Sequence, residues 1–314
     1  MISATVAVTG ATGFVGRPLV AALRAAGHAV RALVRRQDEA LAATGAELVP
    51  GSLADEASLR ALVQGADAVV HVAGAINAPD RAGFLAANAA GTARLAEAAA
   101  SALPGRPFIH VSSLAAREPH LSPYGESKAL GEAEARARAD RLAITIVRPP
   151  AVYGPGDRAT LPIIQGLARG WLAAPAGTDA RFSLLHVEDL ARLLVAMLGA
   201  TLPPAAVLEP DDGRAGGYGW RDLADIAERV LGRRVRLVPL PRAPLFLAAG
   251  LLERYARARG QAPLLWRGKV AELFHPDWVC DPATMTALPG WRPSIGFARG
   301  LSSTLAWYRE AGWL

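Results

Sequence analysis

Tyr124 and Lys128 are four residues apart in the sequence, a spacing that places both side chains on one face of a helix. A lysine ammonium beside a phenol favours the phenolate and lowers a tyrosine pKa that starts at about 10. Such a tyrosine can exchange a proton with a substrate oxygen near neutral pH. Lys128 and Lys269 are the only lysines in a chain rich in arginine. The pair therefore indicates catalysis rather than a surface contact.

Two serines, Ser112 and Ser113, end an apolar run that reads as a strand. Residues just beyond the carboxyl ends of parallel strands line the ligand cleft of a doubly wound sheet. A hydroxyl there can hold a carbonyl or alcohol oxygen of a substrate. We assign this role to Ser113, with Ser112 as the alternative. With Tyr124 and Lys128, it predicts proton transfer coupled to hydride transfer.

Three glycines, Gly10, Gly13 and Gly16, lie in Thr9–Gly16, directly after the first apolar run. The spacing is G-x-x-G-x-x-G, in the strand–turn–helix context of a dinucleotide-binding turn. Gly10 would permit the tight turn, Gly13 the approach of backbone to a pyrophosphate, and Gly16 close packing of helix on strand. The helix N-terminus would add amide groups and a positive dipole end.

The residues after the second predicted strand bear on the choice of cofactor. Arg35 and Arg36 stand there, and no acidic residue occurs before Asp38. An acidic residue would bind a ribose 2′-hydroxyl, whereas a guanidinium suits a 2′-phosphate. The sequence therefore favours NADP(H). The alternative is that both are solvated arginines of an arginine-rich chain, which leaves NAD open.

Short β-branched runs alternate with alanine-rich helical stretches through the first half. This pattern predicts an α/β fold, a doubly wound parallel Rossmann sheet with helices on both faces and a smaller C-terminal substrate-binding lobe. The predicted strands are Thr5–Thr9, Ala29–Val34, Glu47–Pro50, Ala68–Val72, Phe108–Ser112 and Ala143–Arg148. The predicted helices are Val15–Ala26, Ala57–Gln64, Phe84–Ala102, Pro123–Ala139, Val187–Leu198, Trp220–Leu231, Phe246–Arg259 and Phe297–Glu310.

We expect residues 1–156 to form the dinucleotide-binding domain, with 183–200 returning to it. The remainder of 157–314 is expected to form a mainly α substrate-binding lobe. In that lobe the apolar stretch Pro241–Leu252 indicates either an apolar, lipid-like substrate or ordinary helical core.

Composition excludes several classes of function. The net charge is +6, but the basic residues are dispersed and not interleaved with aromatics, so nucleic-acid binding is not expected. No run approaches the roughly 20 apolar residues that span a bilayer, and the first residues do not read as a signal peptide. The single cysteine, Cys280, suits a reducing cytoplasm. The histidines and Cys280 have no metal-ligand spacing.

Taken together, these motifs resemble the extended short-chain dehydrogenases, often called the NAD-dependent epimerase/dehydratase family. The resemblance covers nearly the whole chain, and Arg-Pro-Pro at 148–150 looks closest to its steroid dehydrogenase-like and flavonol reductase-like branches. The segments that carry it are Thr9–Gly16, His71–Gly74, Asn88–Thr92, Ser112–Ser113, Tyr124 with Lys128, Arg148–Asp157, His186–Leu190 and Gly290–Pro293.

The resemblance implies that Tyr124 is the acid/base, Lys128 its partner and a ribose ligand, and Ser113 the oxygen-holding hydroxyl. It further implies a homodimer through Phe84–Ala102 and Pro123–Ala139. We expect Asn88 to order a water or a helix bend near the cofactor. The cofactor contacts predicted in all are Gly10, Thr12, Gly13, Phe14, Val15, Gly16, Arg35, Arg36, Ser52, Leu53, Ala73, Gly74, Asn88, Tyr124, Lys128, Pro150 and Val152.

Two positions depart from the family pattern. Ser52-Leu53 stands where many members have Asp and an aliphatic residue, and Ala151 aligns with an Asn that holds nucleotide sugars. The expected activity is thus NAD(P)-dependent oxidation or reduction of a small-molecule secondary alcohol or ketone, and Pro241–Leu252 favours an apolar one. The alternatives are an NAD-retaining epimerase/dehydratase on a sugar-type substrate and a non-catalytic NADPH-binding accessory or redox-sensing protein.

Overall fold

The computed structural model describes residues 3–175, 179–263 and 265–314. Its first half alternates strands and helices, as the sequence predicts. The elements are β1 (Thr5–Thr9), α1 (Gly16–Ala25), β2 (Ala29–Val34), α2 (Glu39–Ala42), β3 (Glu47–Pro50), α3 (Glu56–Val63), β4 (Ala68–His71), α4 (Arg81–Leu85), a π-helical turn (Ala86–Ala90), α5 (Gly91–Ala102), β5 (Pro107–Val111), a 3₁₀ turn (Leu114–Arg117), α6 (Pro123–Arg136) and β6 (Ala143–Val147).

The second half has shorter strands and a larger share of helix. Its elements are β7 (Ala151–Tyr153), α7 (Leu161–Arg169), β8 (Trp171–Pro175), β9 (Arg181–Phe182), β10 (Leu184–His186), α8 (Val187–Met197), β11 (Ala206–Leu208), α9 (Trp220–Leu231), β12 (Arg236–Leu240), α10 (Arg242–Ala258), α11 (Arg267–Leu273), β13 (Asp277–Trp278), a 3₁₀ turn (Pro282–Ala287) and α12 (Phe297–Glu310).

Seven parallel strands form the central sheet in the order β11-β6-β5-β4-β1-β2-β3. This confirms the doubly wound parallel sheet. The edge strand β11 pairs with β6 through Leu208 and Val147 and was not predicted, because three residues are too few to show a strand pattern. It lies outside 183–200, the segment expected to return to the first domain.

The strands are apolar on both sides because helices cover both faces of the sheet. Successive side chains of a strand point to opposite faces. Accordingly Val6 and Val8 of β1 pack in one buried cluster with residues of α1 and α8, while Ala7 packs in another with residues of α3 and α5. The sheet edge that follows the carboxyl ends of β1, β4, β5 and β6 is thereby held rigid.

The predicted helix Phe84–Ala102 differs most from the structure. It begins earlier, at Arg81, and is divided by the π-helical turn into α4 and α5. Such turns place an extra residue in one turn of a helix and occur at functional sites. A second difference is α10, which begins at Arg242 rather than Phe246, since Pro244 falls in the first turn, where proline is tolerated.

A third buried cluster lies in the C-terminal half. It joins α7, α9 and α12, with Leu167, Leu223 and Leu301 among its members. A small separate cluster joins α10 to α11 through Ala249, Val270 and Phe274. In the part of the chain that the structure describes, no helix has the length and apolar character needed to cross a membrane.

Asp189, fully buried in the first turn of α8, joins the C-terminal segment to this helix, which packs against β1 and α1. Its carboxylate accepts hydrogen bonds from the backbone N–H of Ser294 (3.0 Å) and of Ile295 (2.9 Å), and it pairs with Arg192. These bonds set the position from which α12 begins, at Phe297.

We predict that Asp189→Ala lowers the free energy of unfolding by about 3 kcal/mol, because the backbone N–H groups of Ser294 and of the buried Ile295 lose their acceptor. Chemical denaturation measures the change. Asp225→Ala is the matched control, since no hydrogen bond or ion pair of Asp225 is found among the described residues and its loss should cost little. Equal stabilities of the two variants would contradict the role given to Asp189.

Candidate active site

The glycine-rich turn follows β1 and is too crowded for side chains at two positions. Gly10 has a φ of +74°, and a methyl group on it would lie 2.7 Å from the backbone N of Ala73. A methyl group on Gly16 would overlap the carbonyl oxygen of Gly10. The turn is therefore pressed against both the segment after β4 and the first turn of α1.

The N-terminus of α1 is open to a ligand. Val15 occupies the cap position without a side-chain hydrogen bond, and the first turn has no acidic residue. Thr12 and Gly13 are exposed, with Phe14 and Val15 half-buried beside them. Free amides and a positive helix end at a glycine cradle fit the pyrophosphate of a dinucleotide. The residues present thus fit the cofactor that the sequence predicts.

Arg35 and Arg36 are exposed immediately after β2. The nearby carboxylate of Asp38 is occupied: it caps α2 at the Leu41 N–H (2.9 Å) and pairs with Arg17 at 2.6 Å. The Leu41 amide and the Arg17 guanidinium lower the pKa of Asp38. The acidic group therefore faces α1 and α2, while no ion pair of Arg35 or Arg36 is found in the described ranges.

Ser52 and Leu53 follow β3, and their contacts are with helices. The Ser52 hydroxyl accepts from the Ala54 N–H at 3.3 Å. The Leu53 side chain fills the space beside Gly91, and its carbonyl accepts from Arg94 at 2.7 Å. Leu53 thus supports the start of α5, and an adenine contact at this pair stays a prediction.

Asn88, in the π-helical turn, joins two parts of the predicted cofactor cleft. Its amide bonds both the N–H (2.7 Å) and the C=O (2.9 Å) of Ala75, and it donates to Ser127 of α6 at 2.8 Å. Gly74 passes so close that a methyl group on it would lie 2.9 Å from the Asn88 side-chain oxygen. The helix irregularity expected at Asn88 thus orients the Ala73–Gly74 segment.

A buried chain of hydrogen bonds lies under this segment. Thr9 contacts His71 Nδ1 at 2.6 Å, His71 Nε2 contacts Thr92 at 2.9 Å, and Thr92 donates to the Asn88 carbonyl at 2.7 Å. Burial lowers the pKa of His71 to about 3, with Lys128 contributing. His71 is therefore a neutral residue that packs in the interior at the end of β4.

Ser113 and Tyr124 come together at the carboxyl end of β5. Ser113 precedes the 3₁₀ turn and caps it at the Ala115 N–H (3.2 Å), and its hydroxyl is within hydrogen-bonding reach of Tyr124 in the first turn of α6. Ser112, the alternative, donates to the buried carboxylate of Glu132 at 2.6 Å. That contact gives Ser112 a structural role and leaves Ser113 beside the phenol.

Tyr124 differs electrostatically from the expectation. Burial raises the pKa of Tyr124 to about 12; Ser113 opposes this rise and the carboxylate of Glu272 adds to it. The Lys128 Nζ donates to the Val111 carbonyl at 2.8 Å. In this structure Tyr124 therefore holds its proton to a higher pH than a tyrosine in water does.

Lys128 lies inside the cleft, next to Gly74. Its Nζ is 3.7 Å from the position that a methyl group on Gly74 would occupy, and only 4% of the residue is exposed. Burial lowers the pKa of Lys128 from 10.5 to about 8, with Glu132 acting in the opposite direction. The amine is positioned for a ligand that runs along the Ala73–Gly74 segment.

Glu132, one turn after Lys128, is a central residue that the sequence analysis missed. The carboxylate is 1% exposed and binds Arg148 through two contacts of 2.8 and 2.7 Å, in addition to Ser112. The i, i+4 spacing from Lys128 was the available signal. Arg148 follows β6, so the pair ties α6 to the sheet edge on which Ser113 stands.

Pro150 and Val152 continue from Arg148 beside the serine segment. The preceding carbonyl, that of Pro149, accepts from the Leu114 N–H at 2.9 Å. Val152 lies in β7, where it pairs with Leu185 of β10. The start of this segment thus lies beside the residue that follows Ser113, and a cofactor contact at Pro150 and Val152 stays a prediction. Over the described ranges, no group of three or more His, Cys, Asp or Glu side chains is placed to hold a metal ion.

A second connection reaches the site from the C-terminal half. The Ser122 hydroxyl, which caps α6 at the Gly125 N–H (2.9 Å), donates to Glu272 of α11. Beside it opens a cavity of about 670 Å³ between α6 and the α10–α11 region, with Phe84 and Trp266 in its wall. The Phe84 ring lies 6.1 Å from the rings of both Tyr124 and Trp266.

Comparison with known proteins agrees with this arrangement. The model of the NAD-dependent epimerase/dehydratase family matches residues 6–207. The chain belongs to this family. It is accordingly an enzyme of the NAD(P)-dependent dehydrogenase, reductase or epimerase type.

Among similar proteins, a ceramide reductase of Caulobacter vibrioides is 41% identical over 311 residues, covering 98% of this chain and 96% of that protein. Sterol demethylase protein B of Methylococcus capsulatus is 36% identical over 174 residues, covering 49% and 53%. The fold matches MoeE5 in complex with UDP-glucuronic acid and NAD, with a TM-score of 0.71 at 23% identity and coverage of 98% and 100%.

The lowered pKa of Lys128 has a measurable consequence for stability. Between about pH 8 and 10.5 the unfolded chain holds the lysine proton and the folded chain releases it, so the free energy of unfolding rises with pH across this interval. We predict that Lys128→Met removes this rise, which amounts to about 3 kcal/mol. Urea denaturation of both proteins at several pH values measures it.

Lys269→Met is the matched control, because Lys269 is the only other lysine and its side chain is 54% exposed. This control should keep the pH dependence of the native protein. If the stability of Lys128→Met rises with pH as steeply as that of the native protein, Lys128 is not a buried amine of lowered pKa.

Proposed function

We propose that this protein reduces a ketone to a secondary alcohol with a nicotinamide cofactor. The observation that carries the proposal is the meeting of Ser113, Tyr124 and the buried Lys128 at one sheet edge, next to the glycine-rich turn. Reduction requires a proton donor for the carbonyl oxygen, and the Tyr124 hydroxyl beside Ser113 can supply that proton.

When bound, the nicotinamide would supply the hydride to the carbonyl carbon. The Ser113 hydroxyl donates a hydrogen bond to the carbonyl oxygen and holds it next to Tyr124. The Tyr124 hydroxyl then donates its proton to that oxygen as negative charge develops there, which yields the alcohol. Lys128 holds the ligand along the Ala73–Gly74 segment.

We further propose a lipid-like substrate, a long-chain amide that carries the ketone. Three observations support it. A relative 41% identical over nearly its whole length is a ceramide reductase. The cavity beside Tyr124 is bordered by Phe84 and Trp266, and Ala151 is exposed where sugar-nucleotide enzymes of the family usually have an asparagine.

We predict that Tyr124→Phe lowers kcat by about 10²–10⁴-fold, since the proton donor is lost, and leaves the affinity for NADPH unchanged. NADPH oxidation in the presence of a keto-lipid in detergent micelles reports turnover, and calorimetric titration reports cofactor binding. Unchanged turnover would refute the mechanism.

Tyr308→Phe is the control for Tyr124→Phe. It removes the same hydroxyl from a buried tyrosine that donates to the Asp157 carbonyl, and it should keep full turnover at temperatures where it is folded. If the native protein retains NAD through purification and shows no net oxidation of NADPH with any ketone, the epimerase/dehydratase alternative is favoured.

For the cofactor we propose a preference for NADP(H). The preference rests on Arg35 and Arg36, which are exposed at the end of β2, and on Asp38, whose carboxylate is engaged by Arg17. A ribose 2′-phosphate would be recognised by the two guanidinium groups, whereas the hydroxyl of NAD would find no free carboxylate at this point of the described chain.

We predict that Arg35→Ser/Arg36→Ser weakens NADPH binding by about 10–100-fold, the loss of one or two charge-assisted hydrogen bonds, with little effect on NADH. Calorimetric titration with both cofactors tests this. Arg233→Ser/Arg234→Ser removes a second adjacent pair of exposed arginines and should leave both affinities unchanged. Equal losses for NADPH and NADH would contradict phosphate recognition.

The remaining proposals concern organisation. We propose a homodimer through the region of α4, α5 and α6, a cytoplasmic location that the single, buried Cys280 suits, and a division of the chain at residue 156. In this division 183–200 belongs with the dinucleotide-binding domain. The pairing of β11 with β6 supports adding residues 206–208 to it.

A further inference from the structure

Helix α10 presents an apolar face to solvent. Leu247, Leu251 and Tyr255 follow one another at intervals of four residues, which places them on one side of the helix, and they are 67%, 70% and 58% exposed. Leu252, beside them, is 39% exposed. Exposed apolar side chains that occur singly are normal, but a continuous stripe on one helix marks an interaction site.

The opposite side of α10 is already packed. Ala249 and Ala256 are buried, and Ala249 contacts the cluster formed with Val270 and Phe274 of α11. No segment of the chain that the structure describes covers the exposed stripe. It is the outer face of a helix whose inner face is fixed to the protein.

The charges around the stripe are mainly positive. Arg242, Arg254 and Arg257 lie on α10 and Arg259 follows it, all exposed, against a single acidic residue, Glu253. The Glu253 carboxylate accepts from the backbone N–H of Arg267 at 2.6 Å. An apolar helix face bordered by arginines complements a membrane surface with anionic headgroups.

The same helix borders the cavity beside the proposed active site. Glu253 and Arg257 line it from α10, and Phe84 and Ser122 line it from the side of α6. The Phe84 ring in the wall of the cavity lies 6.1 Å from the ring of Tyr124, so the cavity that α10 borders adjoins the proposed active site.

We propose that the face formed by Leu247, Leu251 and Tyr255 docks this enzyme on anionic membrane surfaces, with α10 lying in the interface. The choice of a lipid bilayer as partner rests in part on the proposed lipid substrate. The helix is expected to lie on the membrane and not to cross it, since α10 carries three arginines along its length.

The test is sedimentation of the full chain with vesicles that contain no substrate, so that its outcome is independent of the proposed reaction. Vesicles of phosphatidylcholine alone are compared with vesicles that also contain phosphatidylglycerol, at low and high salt. We expect binding to the mixed vesicles, at least about tenfold weaker binding to phosphatidylcholine, and weakening by salt.

The decisive variant is Leu247→Ser/Leu251→Ser/Tyr255→Ser, which we expect to lose vesicle binding by at least about tenfold while its affinity for NADPH is unchanged. Arg254→Glu/Arg259→Glu should lose binding to the anionic vesicles. Its matched control, Arg60→Glu/Arg229→Glu, makes the same change of charge on other exposed helix positions and should bind as the native chain does.

Any one of four results would overturn the proposal. The native chain would fail to sediment with either type of vesicle; the triple serine variant would sediment as the native chain does; or the control arginine pair would lose binding as strongly as the pair on α10. The fourth result is that the native chain forms a dimer that binds no vesicles, and that the triple serine variant does not form this dimer. The face would then be a contact between two copies of the chain.

Discussion

The buried carboxylate of Glu132 connects the elements that meet at the candidate active site. It accepts from Ser112 at the end of β5, pairs with Arg148 at the end of β6, and belongs to α6, the helix that carries Lys128. Arg148 also lies 3.6 Å from Glu209, directly after β11. Two strands, the edge strand and the helix are thus joined through one set of charges.

An ion pair such as Glu132–Arg148 fixes the relative position of α6 and the sheet more than it stabilises the fold. Removing a carboxylate and a guanidinium from water costs several kcal/mol, which their attraction offsets only when the geometry is good. The two short contacts between Glu132 and Arg148 meet that condition. Their effect is to fix how far α6 can move relative to the sheet, and so the separation of Ser113, on the strand side, from Tyr124, on the helix.

The same exclusion of water sets the ionisation of the site. Burial penalises charged forms, so the pKa of Tyr124 rises to about 12 while that of Lys128 falls to about 8. Both groups are closer to neutrality than they would be in water. The four-residue spacing from Lys128 predicts a lowered pKa for Tyr124. Spacing carries no information about burial, and in the structure burial has the larger effect on the pKa of Tyr124.

Features encoded by neighbouring residues could be predicted from the sequence, and features made by distant ones could not. The strands of the first half, the turn at Gly10–Gly16 and the Tyr124–Lys128 pair are local patterns. By contrast, β11 is only three residues long, and the bond between Ser122 and Glu272 spans 150 positions. No periodicity indicates that two such residues will meet.

That distant bond explains how the two halves of the chain can act together. Ser122 caps the helix that carries Tyr124, and its hydroxyl is held by a carboxylate of α11, which packs against α10. A displacement of α10 and α11 would therefore be transmitted to the first turn of α6. The glycine-rich turn follows β1, and among the described residues no hydrogen bond joins it to α10 or α11.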